Sequence, residues 1–156
     1  MKIAIPKEHR PNESRVAGSP DTVKKLIGLG FDVAVESGAG EGSSISDNQF
    51  VEAGALVVAD EVAALTDADI VLKVQRPLTG DDGGLDEISM MKQGAILIGA
   101  LSSLTNVDDV ECYARAGLTV FALELLPRIS RAQSMDVLSS QSNLAGYKAC
   151  LLYTSP

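Results

Sequence analysis

Short apolar segments alternate with helix-type patterns along most of this chain, and that alternation limits the possible folds more than any other feature. Apolar residues recur at helical spacing between these segments, for example after Ser19 and Pro20, which suit the start of a helix. Such alternation is typical of a parallel sheet. The sequence therefore predicts the α/β class, a parallel sheet with helices on both faces, and strands at Lys2–Ile5, Asp32–Glu36, 55–58, 70–74, 95–101 and 118–123.

The composition suits one domain with an aliphatic core and an acidic surface. Of the 156 residues, 46% are hydrophobic but only 4% aromatic, so valine, isoleucine, leucine and alanine must fill the core. The 13 basic and 21 acidic residues give a net charge of -8. Because such a surface repels phosphate groups, we expect neither nucleic acid nor an anionic membrane as a direct partner.

The sequence also bears on cellular location. The N-terminal stretch is interrupted by Pro6, too early for the apolar core of a signal peptide. No apolar run approaches the roughly 20 residues that a membrane span requires. Two cysteines, Cys112 and Cys150, do not make a disulfide framework, so reduced thiols are expected. We therefore expect a soluble, cytoplasmic chain without direct membrane insertion.

Three charged residues are candidates for a site at the carboxyl edge of the sheet, where parallel sheets bind ligands. Lys73 lies within an apolar run, which is costly unless the lysine is paired or used, or snorkels past the strand end. Arg15 could clamp a carboxylate or form a surface salt bridge. His9, the only histidine, could act as a base, but a solvated loop residue is the favoured interpretation.

A glycine-rich turn follows the strand Asp32–Glu36. Gly38 and Gly40 fit the start of a G-x-G-x-x-G phosphate fingerprint, but Ser43 occupies the third position and Gly42 comes one residue early. A flexible strand-to-helix turn is therefore favoured over phosphate binding. No metal site is expected, because the sequence has no cluster of histidine and cysteine.

The segment 127–148 carries the richest set of polar groups. It offers many donors and acceptors but no obvious pair of nucleophile and base, which suits a neutral amide-and-ribose ligand better than hydrolysis. A capped helix start explains Ser134 and Asp136 equally well, so both interpretations stay open. The candidate side chains are Arg128, Arg131, Gln133, Asp136, Ser139 and Ser140.

This segment resembles the signature of the alanine dehydrogenase and NAD(P) transhydrogenase superfamily, and residues 127–134 resemble its transhydrogenase branch in particular. Further agreement, in the family's order, lies at residues 3–8, 13–17, 30–40 and 69–74. The resemblance covers residues 1–149 and implies a Rossmann-like or flavodoxin-like sheet. Because a second, NAD-binding Rossmann domain follows in that superfamily, the resemblance implies a truncated N-terminal domain, with residues 150–156 as a non-family tail.

The transhydrogenase branch implies a function, namely that of the NAD(H)-binding component of proton-translocating NAD(P) transhydrogenase, which transfers hydride between NADH and NADP. Arg128 and Asp136 would orient the nicotinamide of NAD(H), and Ser139 would assist at its carboxamide. Gln133 would reach toward NADP(H) on a partner component. The resemblance also implies a homodimer, NADP(H)-binding and membrane components as partners, and a cytoplasmic position peripheral to the inner membrane.

Two other functions remain as alternatives. An alanine dehydrogenase would use Arg15 and Lys73 on its substrate, but its catalytic histidine has no counterpart at residues 96–102. A non-catalytic binding module is the third possibility, because a fragment without the cofactor domain should bind NAD(H) poorly and catalyse nothing alone. The enzyme assignment therefore concerns the full-length polypeptide.

Overall fold

The computed structural model describes residues 1–82, 84 and 86–154, and within them six parallel strands form one sheet. The strands are β1 (Lys2–Ile5), β2 (Asp32–Glu36), β3 (Leu56–Val58), β4 (Ile70–Gln75), β5 (Ile96–Ala100) and β6 (Thr119–Ala122). The helices are α1 (Pro20–Gly28), α2 (Asp47–Glu52), α3 (Glu61–Leu65), α4 (Glu87–Met90), α5 (Val107–Arg115) and α6 (Val137–Thr154).

Side-chain caps set the starts of several helices. Ser19 Oγ accepts a hydrogen bond from the Thr22 N–H at 3.3 Å, and Pro20 follows as the first helical residue, which confirms the predicted start of α1. Asp60 caps α3 in the same way. Asn106 occupies the N-cap position of α5, but its side-chain amide donates to the Ser102 carbonyl and makes no capping hydrogen bond.

The strand order is β3-β2-β1-β4-β5-β6, which is the order of the doubly wound Rossmann sheet. β1 and β4 therefore lie side by side at the centre of the sheet. β2 and β3 extend the sheet on the β1 side, and β5 and β6 extend it on the β4 side. A crevice forms where the order reverses, at the carboxyl ends of β1 and β4. The predicted α/β class and parallel sheet are confirmed. Of the two sheet types that the resemblance implies, Rossmann-like and flavodoxin-like, the strands follow the Rossmann order.

Helices cover both faces of this sheet, as the sequence predicts. On one face, Ile3 and Ile5 of β1 pack with Val23 of α1 and Phe50 of α2. On the other face, aliphatic residues of the sheet pack with residues of α3, α4 and α5, in a cluster that includes Ala4, Leu65, Val71, Ile88, Leu97 and Tyr113. β5 lies between β4 and β6, so this strongly apolar strand is flanked by a strand on each side.

The last helix, α6, is long and largely exposed. Its apolar side chains lie on all sides rather than in one stripe, and most of them face solvent, including Leu138, Leu144, Tyr147, Leu151, Leu152 and Tyr153. Residues 150–154 of the predicted tail continue α6, whereas 155–156 lie outside the described residues. Among residues 1–82, 84 and 86–154, no helix combines the length and apolar character that crossing a bilayer requires.

Candidate functional site

Six ionisable side chains come together at the carboxyl ends of β1, β2 and β4, in a group called here the buried charge cluster. It lies beside the reversal of strand order, where sheets of this topology bind ligands. The loop after β1, the strands β2 and β4, and the first residues of α3 and α4 supply its members, which are Glu8, His9, Glu36, Glu61, Lys73 and Glu87.

Lys73 is the lysine of the buried charge cluster. Its side chain is only 1% exposed, and its Nζ donates to both carboxylate oxygens of Glu87, at 2.7 and 2.8 Å. The Glu8 carboxylate lies 3.7 Å from the same nitrogen. Because a buried ammonium needs such partners, Lys73 is a paired residue, and the alternative that it snorkels past the strand end is wrong.

Glu8 connects the loop after β1 to the neighbouring strand β4. Its Oε1 accepts a hydrogen bond from the Val74 N–H at 2.6 Å, whereas its Oε2 has no hydrogen-bond partner among the described residues. Burial raises the pKa of Glu8 above its ordinary value, and the positive charge of Lys73 partly offsets that rise. The carboxylate therefore holds the loop against β4 at the reversal point.

Glu61 is a buried carboxylate at the first residue of α3. It is 3% exposed, and neither of its oxygens has a hydrogen-bond partner in the described part of the chain. Burial raises the pKa of Glu61 to about 8, and the nearby negative charge of Glu87 adds to the rise. Buried polar groups without partners are rare in folded proteins and require a specific explanation.

His9 lies between two carboxylates at the outer side of the buried charge cluster. Its Nε2 is 3.7 Å from Oε2 of Glu61 and 3.9 Å from Oε1 of Glu36, and 33% of its side chain is exposed. The other oxygen of Glu36 accepts a hydrogen bond from the Lys7 N–H at 2.8 Å, which fixes that carboxylate. His9 is thus more than a solvated loop residue, because it has acidic neighbours that the sequence could not name.

The four glutamates of the buried charge cluster were not singled out from the sequence. Glu8 and Glu36 follow strands, and Glu61 and Glu87 each come directly after an aspartate that caps a short helix. Each of these positions is also typical of an exposed acid. The one signal that could have found them was Lys73, since a lysine inside a buried strand requires acidic partners at the same edge of the sheet.

Arg15 pairs with a carboxylate of its own loop. Its Nε and Nη2 donate to the two oxygens of Glu13 at 2.7 and 2.6 Å, and its Nη1 donates to Gln141 of α6 at 3.2 Å. The Arg15 hydrogen bonds lower the pKa of Glu13 to about 2. Arg15 does contact a carboxylate at two points, but that carboxylate belongs to Glu13 of the same chain. About half of the Arg15 side chain is exposed, as in a surface salt bridge.

The glycine-rich turn after β2 is shaped by close packing. A Cβ at Gly42 would lie 2.6 Å from the Ser14 carbonyl, and one at Gly40 would lie 2.6 Å from the Ile45 carbonyl. The turn leads into a short 3₁₀ helix, Glu41–Ser43, instead of the α-helix N-terminus that a phosphate fingerprint needs. The preference against phosphate binding agrees with this geometry, whereas the expected flexible turn is a tightly packed one.

The other sequence-predicted residues lie on a separate surface, in the 3₁₀ helix Ser130–Met135 and the start of α6. Asp136 accepts hydrogen bonds from the N–H and Oγ of Ser139 at 3.1 and 2.6 Å, and these lower its pKa, with a further contribution from the charge of Arg128. Arg128 and Gln133 are exposed. The structure therefore pairs Asp136 with Ser139 at the start of α6, as a helix cap does, and the charge of the exposed Arg128 acts on this pair.

Strand order, helical cover on both faces and polar loops at the carboxyl edge define this chain as a Rossmann-like α/β domain. A model of the family described as alanine dehydrogenase/PNT, N-terminal domain, matches residues 4–145. The chain belongs to this family, and the resemblance noted in the sequence is confirmed.

Relatives and solved structures place the chain more closely. It is 57% identical over 151 residues to an alpha-subunit chain of the NAD(P) transhydrogenase of Rhodospirillum rubrum, covering 97% of this chain and 39% of that protein. The transhydrogenase structure from Sinorhizobium meliloti has a TM-score of 0.89 at 51% identity, covering 97% of this chain and 43% of that one. An L-alanine dehydrogenase structure has a TM-score of 0.72 at 34% identity, covering 80% and 32%. The chain thus spans about two-fifths of its transhydrogenase relatives.

Proposed function

We propose that this chain is the N-terminal part of the NAD(H)-binding component of a proton-translocating NAD(P) transhydrogenase, with NAD(H) as its cofactor and NADP(H) on a partner component. The observation that carries the proposal is the polar segment that follows β6, where Ser139 binds Asp136 and the charge of Arg128 acts on the same carboxylate. These residues lie within the segment that resembles the transhydrogenase signature. The 57% identity to a transhydrogenase subunit supports the same assignment.

The chemistry of this polar group fits a nicotinamide carboxamide. The Ser139 hydroxyl donates its proton to Asp136, which leaves the hydroxyl lone pairs to accept from an amide NH₂. The Arg128 guanidinium offers several donors to an amide oxygen. Because its hydrogen bonds with Ser139 favour the charged form of Asp136, this pair is organised before any ligand arrives, and its negative charge attracts the Arg128 guanidinium.

Gln133 is the residue proposed to reach toward the second cofactor. It is exposed on the 3₁₀ helix Ser130–Met135, so its amide can contact a group held by another protein. The two nicotinamides supply the hydride chemistry when they are bound. The role of this chain is to hold one nicotinamide in the orientation that hydride transfer requires. Such a role suits a segment that is rich in donors and acceptors and has no nucleophile.

Exposed apolar surface supports the proposal that the active protein contains more polypeptide than this chain. An open cleft of about 840 Å³ runs beside β6 and α5, and its lining includes Tyr113, Phe121 and Leu125. Exposed apolar areas of this kind mark surfaces that other protein covers. We propose that the remaining polypeptide includes the NAD-binding Rossmann domain, and that the whole component forms a homodimer. It would then dock, through NADP(H)-binding and membrane components, at the cytoplasmic side of the inner membrane.

Alanine dehydrogenase activity has less support from the described residues. Lys73 and Arg15, the residues proposed for substrate in that family, are already bound by Glu87 and Glu13. No histidine occurs at residues 96–102. The geometry therefore favours hydride transfer between two nicotinamide cofactors over deamination of an amino acid.

The test is a chimera in which this chain replaces the matching 151 residues of the Rhodospirillum rubrum relative. The chimera is mixed with the NADP(H)-binding partner component, and hydride transfer from NADH to an NADP analogue is measured, with deamination of L-alanine assayed in parallel. Transfer without deamination supports the proposal. Deamination would return the assignment to alanine dehydrogenase, and neither activity in a folded chimera would favour a non-catalytic binding module.

A pair of matched arginine variants separates positioning from general electrostatics. Arg128→Ala should slow transfer about a hundredfold, because misplacement of a reacting group costs rates of that order. Arg131→Ala removes an equally exposed guanidinium from the same segment and should change the rate little. Equal losses in the two variants would argue against a specific role for Arg128.

A further inference from the structure

We infer that His9, Glu36 and Glu61 form a binding site for one divalent transition-metal cation, at the reversal point of the sheet. His9 Nε2 and one carboxylate oxygen from each glutamate all lie within 4.8 Å of one another. The site is separate from the polar group around Arg128 and does not depend on the proposed hydride transfer. It replaces the sequence-based expectation of no metal site.

The first argument is the imbalance of charge in the buried charge cluster. Four carboxylates share one lysine, and that lysine is bound to Glu87 through both carboxylate oxygens. Among the described residues, Glu36 and Glu61 form no ion pair with that lysine, and the basic side chain that faces both of them is His9. Burial of carboxylates without a compensating charge is strongly unfavourable. A bound cation would remove that cost.

The second argument is independent of charge counting, and it concerns Glu61. This carboxylate is 3% exposed, its Oε2 faces the His9 imidazole at 3.7 Å, and its other close neighbour is the acidic side chain of Glu87, so neither oxygen receives a hydrogen bond from a basic or neutral donor among the described residues. A buried side chain in that state normally has a missing partner, such as an ion. Glu61 thus points to a ligand rather than to a solvated acidic patch.

The geometry brings His9 and each of the two glutamates within reach of a single ion, and all three ligand atoms lie within 4.8 Å of one another. Zinc lies about 2.1 Å from nitrogen and oxygen ligands, so it can join atoms up to about 4.2 Å apart. The His9–Glu61 and His9–Glu36 separations of 3.7 and 3.9 Å are within that reach. Glu36 is oriented by the Lys7 N–H on its other oxygen, as outer contacts commonly orient a metal ligand.

One imidazole and two carboxylates select a particular class of cation. Imidazole favours zinc and similar transition metals, whereas an all-oxygen set favours magnesium or calcium. The partly exposed His9 provides an access path from solvent, and three protein ligands leave a coordination position open. We therefore take Zn²⁺ as the probe and Mg²⁺ as the comparison ion.

The test uses the fact that His9 is the only histidine in the chain. The imidazole proton resonances of the full chain are followed by NMR during titration with Zn²⁺. They should shift and saturate at one equivalent, and Mg²⁺ at the same concentration should leave them unchanged. Zinc bound at the cysteines would not produce this shift, because the signal reports on His9 alone.

Two variants and a control decide the outcome. Glu61→Gln keeps the side-chain shape and should weaken the Zn²⁺ effect on His9 at least about tenfold, whereas Glu52→Gln, an exposed acid at the end of α2, should not. His9→Gln should abolish the rise in melting temperature that Zn²⁺ gives the parent chain. Unshifted His9 resonances at one equivalent would refute the site, and so would equal Zn²⁺ affinity in Glu61→Gln.

Discussion

Replacing Lys73 with methionine tests whether the buried charge cluster is held by its ion pair. Methionine keeps the length of the side chain but removes the ammonium that Glu87 binds at 2.7 and 2.8 Å. The Glu87 side chain is 0% exposed, so the variant leaves a buried carboxylate with neither a counter-ion nor water to hydrate it. We expect Lys73→Met to lower the free energy of unfolding substantially at neutral pH.

The expected magnitude follows from the burial of both partners. Breaking a buried pair by removing one member costs about 3–5 kcal/mol, against a total stability of about 5–15 kcal/mol for a typical domain. Lys92→Met is the matched control, because Lys92 binds Asp69 at the same 2.7 Å but with half of its side chain exposed. Solvent screens such a surface pair and leaves it little net effect on stability, so the two variants should differ severalfold.

Urea denaturation followed by circular dichroism measures both losses. The double variant Lys73→Met/Glu87→Leu should recover most of the stability, because replacing both charges by apolar groups is close to neutral. Should Lys73→Met cost no more than Lys92→Met, the reasoning from burial would be refuted.

Three further predictions rest on other features. Glu13→Gln should cost about 1–2 kcal/mol at pH 7, because Arg15 lowers the Glu13 pKa to about 2 but is itself half-exposed; this difference should disappear as pH falls from 4.5 to 2 in acid-unfolding curves. Gly42→Ala should cost about 1–3 kcal/mol by thermal unfolding, since its Cβ would meet Ser14 backbone, whereas Gly28→Ala has open space and should not destabilise. In the chimera, Gln133→Asn should slow hydride transfer while NADH affinity stays nearly constant, and a large loss of affinity would contradict its role.

The fold could be predicted largely from the sequence, because hydrophobic periodicity and end signals are local. The start of α1 at Ser19 and Pro20 and the span of β2 agree with the pattern in the residues. Asn106 shows the limit of that approach, since its cap position was visible but its bond to Ser102 depends on the conformation of the loop. Strand order is likewise a tertiary property, and the family resemblance implied either a Rossmann-like or a flavodoxin-like sheet.

The two candidate sites differ in the same respect, because one could be predicted from the sequence and the other could not. The segment from Arg128 to Ser139 could be recognised because its residues are contiguous. The metal site proposed at His9 could not, since its ligands come from three separate parts of the chain and meet only after β1, β2 and α3 have packed. Lys73 gave the one usable hint, because the cost of its burial implies acidic neighbours.

Because α6 is largely exposed, we expect its local unfolding to cost less free energy than local unfolding of the sheet. The strands are held by contacts between distant residues, whereas most described side chains of α6 lie in solvent, and its described connections to the rest include the Arg15–Gln141 hydrogen bond and contacts with the turn after β6. Most of the stability of a helix in a protein comes from packing of one apolar face, and α6 has no such face. The amide protons of residues 137–154 should therefore exchange with solvent orders of magnitude faster than those of β1 and β4, unless another protein surface packs against this helix.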